Sequence, residues 1–228
     1  MIKLEKTSVM NFENAIRGAR NPMNSWEKSD SFYTCSHSGY SCADCIDYVD
    51  CQRNAHYHIG PNDLKLAQKL CKAGSDHRKF IRQIFVSVDI TAPLYWWKEA
   101  DTYKVGTVAN STSTMHKIQA KEFTRDDFSH DHMSDVAIAC LDATIACLED
   151  RRQKFLATKD KSYWYDIIQL LPSSYNQMRT VTMNYETLLN QYHARKHHKL
   201  DEWHTYCDWI ETLPYFKEIC LEDEVDGK

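Results

Sequence analysis

The sequence predicts an α+β fold, in which a few strands are mixed with several helices. β-branched residues alternate with other side chains from Ile84 to Ile90, which is typical of a half-buried strand. Apolar residues recur every three or four positions after Ser134, which predicts a helix capped by Ser134 and ending near Arg152. Strands and helices do not alternate regularly, so we expect one α+β domain over residues 1–228 rather than a βαβ repeat.

The first half of the chain contains three further predicted elements. Residues 1–10 are expected to form a short edge strand, and Asn11–Arg20 a short helix capped by its first residue. A second helix is expected over Gly60–Gly74, with Asn62 or Asp63 as its N-cap and the final glycine as its end.

The second half contains two predicted helices and a strand before its last helix. Ser162–Leu171 is expected to be a helix that stops at Pro172, because proline cannot continue it. Alternation predicts a strand over Met178–Met183. Helices are expected over Asn184–His197 and Glu202–Leu213.

The stretch Gln83–His116 carries the strongest functional signal. Ala92-Pro93 ends its strand, because proline cannot donate to a sheet, and a helix is predicted over Leu94–Lys104. A run of small hydroxyl residues follows between Gly106 and Thr114. Hydroxyl and backbone N–H groups offer many donors at low steric cost, which favours a phosphate or nucleotide site. The alternative is a plain solvated loop.

The charge and cysteine content restrict the classes of partner. A net charge of −4 gives no bulk attraction for nucleic acid or for an anionic membrane, so neither is expected as a partner. The N-terminus lacks the apolar core of a signal peptide, and no apolar run is long enough to cross a bilayer. The nine cysteines are therefore expected to be reduced thiols or metal ligands in a cytoplasmic protein.

Cysteines are concentrated in an insertion at about residues 31–58. Cys42 and Cys45 have the two-residue spacing that lets two thiolates bind one zinc ion, and Cys35 and Cys51 could complete a four-thiolate site. The alternative is a variable insertion with free thiols.

A second informative stretch surrounds Arg195. If Asn184 begins a helix, Arg195 lies on the same face about three turns later. Arginine can hold a phosphate or a pyrimidine edge with paired donors. The alternative is structural, because Asn184 can cap the helix and basic residues are favoured at a helix C-terminus without any ligand.

Taken in order, the two stretches resemble the flavin-dependent thymidylate synthase (ThyX) family. The family has a strand ending in Ala-Pro, then a helix and an Arg-His-Arg motif. Here Ala92-Pro93 is followed at the same offset by Thr102-Tyr103-Lys104. The later segment of the family has Leu-Pro, a strand, two Asn residues, an Arg and a Gln-Trp pair. The matching positions here are Leu171-Pro172, Asn184, Asn190, Arg195 and Glu202-Trp203.

Several positions depart from the family pattern. Only one cation of the Arg-His-Arg motif remains, and the later Ser matches Ser113 only with a one-residue insertion. Two further family arginines are replaced by Ile168 and Glu186. Candidates to supply the lost charges are Arg179, Arg82 and His77.

The resemblance implies a fold, an activity and an assembly. It implies a mixed or antiparallel sheet flanked by helices, and an enzyme that reductively methylates dUMP to dTMP. The implied cofactor is FAD, with NADPH and methylenetetrahydrofolate as co-substrates, in a homotetramer. Two alternatives stay open: an enzyme making a different C5 modification of a deoxypyrimidine nucleotide, or a non-catalytic module that binds flavin or nucleotide.

The resemblance also assigns roles to individual residues. Arg195 is the implied catalytic residue, because it stands where the family places the arginine that contacts the pyrimidine. The implied flavin-binding residues are Tyr103, Lys104, Asn184, Asn190 and His198. The implied nucleotide-binding residues are Glu99, Thr102, Ser111, Thr112, Ser113 and Arg195.

Overall fold

The computed structural model describes residues 2–35 and 55–221. The strands are β1 (Lys3–Met10), β2 (Phe32–Cys35), β3 (Ala55–His58), β4 (Phe85–Pro93), β5 (Val108–Ser111) and β6 (Asn176–Asn184). The α-helices are α1 (Phe12–Arg20), α2 (Pro61–Lys72), α3 (Leu94–Ala100), α4 (Asp135–Thr158), α5 (Lys161–Leu170), α6 (Tyr185–Arg195) and α7 (Asp201–Glu211). This mixture of helices and antiparallel strand pairs confirms the predicted α+β class.

The chain divides into two compact units, each built from separate segments. The first unit comprises Met1–Ser8, Ser87–Met183 and Gln191–Trp209. The second comprises Val9–Val86, Asn184–Asn190 and Ile210–Lys228. No helix in the described part of the chain is both long and apolar enough to cross a membrane.

A four-stranded sheet in the order β1-β4-β6-β5 runs through the first unit, so β1 is an edge strand as predicted. On β4, buried apolar residues alternate with partly exposed polar ones, which confirms the alternation seen in the sequence. The polar side chains bond across the sheet to β6. Ser87 Oγ lies 2.7 Å from Thr182 Oγ1, and Thr180 donates to Asp89 over 2.6 Å.

Helices α4 and α5 form a hairpin with its own apolar core in the first unit. Ser134 caps α4 as predicted, since its hydroxyl accepts from the N–H of Ala137, but the helix runs six residues beyond the expected end. Helix α5 ends before Pro172, again as predicted. The buried core of this hairpin consists of Ile118, Phe123, Phe128, Leu141, Leu148 and Ile167.

The helix predicted over Leu94–Lys104 was too long, because α3 ends at Ala100. The Thr102 N–H and hydroxyl both donate to the carbonyl of Glu99, over 3.1 and 2.7 Å. These local bonds satisfy a terminal carbonyl and replace the next helical turn.

The hydroxyl-rich segment after α3 contains a strand where a loop was predicted. β5 pairs antiparallel with β6, with Val108 opposite Thr182 and Ser111 opposite Arg179. This strand has no recognisable pattern in the sequence, because its side chains are exposed and its partner is distant along the chain.

In the second unit, the N-terminus of α2 differs from the prediction. Gly60 is the N-cap, and the carboxylate of Asp30 accepts from the N–H groups of Asn62 and Asp63 over 2.9 and 3.1 Å. A Cβ at Gly60 would lie 2.3 Å from Asp30 Oδ1, so this approach requires glycine. Asp63 is buried and bonds to Arg20, with Nε to Oδ1 at 2.5 Å.

Candidate functional site

A cavity of about 350 Å³ lies within the first unit. This volume falls in the range that binds small ligands. Five of its fourteen lining residues are aromatic, namely Trp96, Trp97, Tyr103, Trp203 and Tyr206. We call it the aromatic cavity.

The aromatic wall follows from helix geometry. Trp96 and Trp97 are consecutive on α3, whereas Trp203 and Tyr206 are three residues apart on α7 and share a face. The ring centroid of Trp96 lies 4.7 Å from that of Trp203 and 5.5 Å from that of Tyr206. These rings meet at interplanar angles of 40° and 62° and are at most 2% exposed, so they form a tightly packed backing to the cavity.

Two buried donors of the aromatic cavity have no partner among the described residues. They are the indole Nε1 of Trp96 and the hydroxyl of Thr107. A buried donor without an acceptor costs roughly 1–3 kcal/mol, and neither of these two atoms has appreciable accessible surface.

Arg195 is held beside this cavity by a carboxylate and a phenol. Its Nη1 donates to Glu99 Oε2, and its Nε donates to the hydroxyl of Tyr103, each over 2.8 Å. The same Glu99 oxygen accepts from Trp203 Nε1 over 3.0 Å and lies 3.3 Å from His198 Nε2. We call these residues the Arg195 cluster.

The guanidinium of Arg195 also packs against aromatic rings. Its Cζ lies 4.8 Å from the ring centroid of Trp203 and 5.4 Å from that of Tyr103, both of which line the cavity. The side chain is only 17% exposed. A fixed cation of this kind can stabilise negative charge that develops on a neighbouring ligand.

A second cation, Arg179 of β6, packs on the cavity wall. Its Cζ lies 4.1 Å from the ring centroid of Trp97, and its Nη1 donates to Asp101 over 2.6 Å. Trp97 and Asp101 both line the aromatic cavity. Of the three candidates for the lost charges, Arg179 therefore lies at the cavity, whereas Arg82 and His77 belong to the second unit.

The predicted nucleotide-binding hydroxyls are divided between several local roles. Ser111 is opposite Arg179 in the sheet, and the Thr112 N–H donates to the carbonyl of Met178 over 2.9 Å. The Ser113 hydroxyl accepts from the N–H of His116 over 2.9 Å. The Thr102 hydroxyl donates to the carbonyl of Glu99 at the end of α3. None of the four is among the residues lining the aromatic cavity.

The predicted flavin-binding residues fall into two groups. Tyr103 and Lys104 line the aromatic cavity, and His198 belongs to the Arg195 cluster. Asn184 and Asn190 lie in the second unit. The side chain of Asn184 accepts from the Thr187 N–H over 3.0 Å, which is a helix-capping bond, and Asn190 is exposed.

Burial fixes the protonation of a phenol in the cavity wall. It raises the pKa of Tyr206 well above the ordinary value, so the hydroxyl stays protonated. That hydroxyl donates to Gln191 Oε1 over 2.6 Å, and both residues line the cavity. Tyr206 therefore supports the wall rather than exchanging protons.

The predicted zinc ligands cannot be placed. Cys42, Cys45 and Cys51 lie outside the described residues, and only the backbone of Cys35 is described, at the end of β2. Within 2–35 and 55–221, no group of three or more His, Cys, Asp or Glu residues is arranged to hold a metal ion.

Trp96 and Thr107 are the site residues that sequence reasoning missed. Both belong to segments with a visible signal, an aromatic-rich helix and a hydroxyl-rich run. Their place in the cavity wall depends on long-range packing, which only the folded chain reveals.

Comparison with solved structures shows fold similarity along the whole chain. Thymidylate Synthase X (ThyX) from Helicobacter pylori, solved with FAD and dUMP, matches with a TM-score of 0.66 at 13% identity, covering 100% of both chains. PolB from Streptomyces cacaoi, a UMP/dUMP methylase solved with 5-Br dUMP, matches with a TM-score of 0.55 at 11% identity. That match covers 93% of this chain and 89% of PolB.

Comparison at the level of sequence finds no such relationship. No family model matches the chain, and no curated protein matches it. The family resemblance of the motifs is thus supported by the fold and not by overall sequence similarity. The chain has a fold similar to that of the flavin-dependent thymidylate synthases.

Proposed function

We propose that this protein is a flavin-dependent enzyme that modifies C5 of a deoxypyrimidine nucleotide, with reductive methylation of dUMP to dTMP as its reaction. The Arg195 cluster beside the aromatic cavity carries this proposal, because it places a fixed cation next to a cavity large enough for a small ligand. Similarity over the full length to a ThyX solved with FAD and dUMP supports it.

In this proposal, the residues of the first unit bind and orient the two rings. Arg195 stabilises negative charge on the pyrimidine, and Glu99 and Tyr103 hold the guanidinium in place. Ser111 and Ser113 keep hydroxyl hydrogens for a nucleotide outside the cavity, whereas both donors of Thr112 bond to the carbonyl of Met178. Arg179 supplies positive charge lost from the family motif.

The cavity fits a flavin in size and chemistry. Its lining combines apolar side chains with the polar Asp101, Lys104 and Gln191, as small-ligand pockets do. Lys104 and Tyr103 would hold the cofactor from the cavity wall, with His198 from the Arg195 cluster. Bound FAD would supply hydride and one-carbon transfer chemistry, with NADPH and methylenetetrahydrofolate as co-substrates.

A different C5 modification is the second candidate. The altered Thr102-Tyr103-Lys104 segment favours it, because two of the three family cations are missing. The fold similarity to PolB, a UMP/dUMP methylase, is compatible with either reaction. We also propose a homotetramer in the cytoplasm, following the family resemblance.

Product analysis tests the function. The purified protein is incubated with FAD, NADPH, methylenetetrahydrofolate and dUMP, and the nucleotide product is identified by mass spectrometry. We expect dTMP, with loss of product when dUMP is omitted. Another C5-substituted nucleotide would favour the second candidate. The absence of both NADPH oxidation and any product from dUMP, UMP or dCMP would refute both enzymatic proposals.

A further inference from the structure

His198 lies in the short link between α6 and α7, and its two ring nitrogens face different partners. Nδ1 is 3.2 Å from the backbone nitrogen of Leu200, which belongs to the same link. Nε2 is 3.3 Å from Oε2 of Glu99 on α3. The ring lies edge-on to Trp203, with the two centroids 6.3 Å apart. A main-chain amide, a carboxylate and an indole therefore surround the imidazole.

The contact with Leu200 determines which ring nitrogen of His198 carries the proton. A backbone N–H can only donate, so Nδ1 has to offer its lone pair and is unprotonated. A neutral imidazole then carries its proton on Nε2, which is the nitrogen that faces Glu99. His198 is therefore a neutral donor to the carboxylate.

Three donors meet at one oxygen atom of Glu99. Oε2 accepts from Arg195 Nη1 over 2.8 Å and from Trp203 Nε1 over 3.0 Å, and His198 Nε2 approaches it to 3.3 Å. The three donors come from the end of α6, from α7 and from the link between these helices. Each one restricts where the carboxylate can lie, and the carboxylate in turn sets the position of the guanidinium.

We propose that His198 is a positioning residue, whose neutral Nε2–H holds Glu99 and through it the guanidinium of Arg195. Both ring nitrogens are engaged within the protein, so His198 offers a bound cofactor its ring face and no free hydrogen-bonding group. The effect on turnover rests on the proposed function, since it requires Arg195 to act on a nucleotide. The tautomer and the positioning do not depend on that function.

Two amide substitutions separate the two contacts of the ring. In His198→Gln, the amide nitrogen can take the place of Nε2 and still donate to Glu99. In His198→Asn, the shorter amide can take the place of Nδ1 and accept from Leu200, but it brings no donor to Glu99. Matched controls are His204→Gln and His204→Asn, because His204 is an exposed histidine of α7 that pairs with Asp201.

Nuclear magnetic resonance of the isotope-labelled full chain, without cofactor or nucleotide, tests the positioning itself. We expect one tautomer of His198, protonated on Nε2. The Nε–H of Arg195, which donates to Tyr103, should exchange with water about tenfold faster in His198→Asn and at the wild-type rate in His198→Gln. A proton on Nδ1, or unchanged Arg195 exchange in a folded His198→Asn variant, would overturn the inference whatever the protein catalyses.

Steady-state kinetics test the consequence for the proposed reaction. We expect His198→Asn to lower kcat about fivefold with little change in KM, because Arg195 acts on charge that develops during the reaction. His198→Gln should recover most of this loss, and both His204 variants should match the wild type. Equal kcat for His198→Asn and the wild type would contradict the role of His198 in turnover. A wild type that converts no nucleotide, but shows the expected tautomer and exchange rates, would refute the proposed function and leave the positioning role standing.

Discussion

The guanidinium of Arg195 and the carboxylate of Glu99 form an ion pair of 2.8 Å that joins the end of α6 to α3. The indole of Trp203 also donates a hydrogen bond to the same carboxylate oxygen of Glu99. Glu99 is thereby fixed, and it fixes Arg195 in turn. A cation held in this way needs no reorganisation when charge develops on a ligand.

Arg195→Lys should reduce turnover about a hundredfold or more, nearly as much as Arg195→Ala. Lysine keeps the charge but loses the forked donors that contact Glu99 and Tyr103 together. Steady-state kinetics on both variants, together with melting temperatures, measure this effect. Arg125→Lys is the matched control, because Arg125 pairs with Asp142 on an exposed surface.

The competing explanation for Arg195 is structural. If the charge of Arg195 only stabilises the C-terminus of α6, lysine should replace it without loss of turnover. Arg195→Ala should then lower the stability of the protein instead. Near-normal turnover of Arg195→Lys would establish that explanation and remove the catalytic assignment.

Tyr103→Phe should lower kcat/KM about tenfold while leaving the melting temperature nearly unchanged. The substitution keeps the ring that packs on Arg195 but removes the hydroxyl that accepts from its Nε. Kinetics of this variant are compared with those of Tyr163→Phe, a phenol on α5 away from the cavity. Equal kinetics for the two variants would show that the hydroxyl does not position Arg195.

Asp63→Asn should destabilise the protein by roughly 3 to 5 kcal/mol, because it leaves Arg20 buried without its counter-charge. Chemical denaturation of the wild type and the variant measures the difference in free energy of unfolding. Asp142→Asn breaks an exposed ion pair and should cost less than about 1 kcal/mol. Similar losses for the two variants would argue against a stabilising role for the buried pair.

The contribution of Asp63 should also depend on pH. Burial alone would raise the pKa of Asp63, but hydrogen bonds from Ser31, Ser29 and Arg20 outweigh it and lower the pKa below the ordinary value. A carboxyl with a lowered folded-state pKa stabilises the protein above its unfolded pKa of about 3.9. The difference in unfolding free energy between wild type and Asp63→Asn should therefore shrink as the pH falls below that value.

Zinc bound by the Cys-rich insertion, if present, should support the insertion and not the chemistry. The family resemblance omits this segment, and the Arg195 cluster is built entirely from other residues. We expect Cys42→Ser/Cys45→Ser to lose bound metal, measured by elemental analysis, and to retain turnover. Loss of activity in a variant that keeps its fold and its oligomeric state would contradict this prediction.

The sequence predicted elements whose signals are local. Ser134 at the start of α4 and the alternation on β4 depend on neighbouring residues, and both were found as expected. β5 was missed, because its pairing with β6 is a long-range contact between exposed residues. The end of α3 was misplaced, because Thr102 uses its hydroxyl to satisfy a helix carbonyl.

The candidate site was predictable only in part. The resemblance pointed to Arg195, Glu99 and Tyr103, which the fold brings together. It could not reveal that Arg179 packs on Trp97, because a cation and a tryptophan some eighty positions apart carry no joint pattern in one sequence. Unpartnered donors are likewise a property of the folded chain, since every indole and hydroxyl looks alike in a sequence.

Flavin binding tests the central claim most directly. Purified protein is saturated with FAD, separated from excess by gel filtration and examined by visible absorbance, with and without dUMP. We expect flavin to co-elute with the protein, and its absorbance band to shift further when dUMP is added, because the aromatic cavity and the Arg195 cluster share Tyr103 and Trp203. A colourless protein peak under both conditions would contradict the proposal that this fold serves a flavin-dependent reaction here.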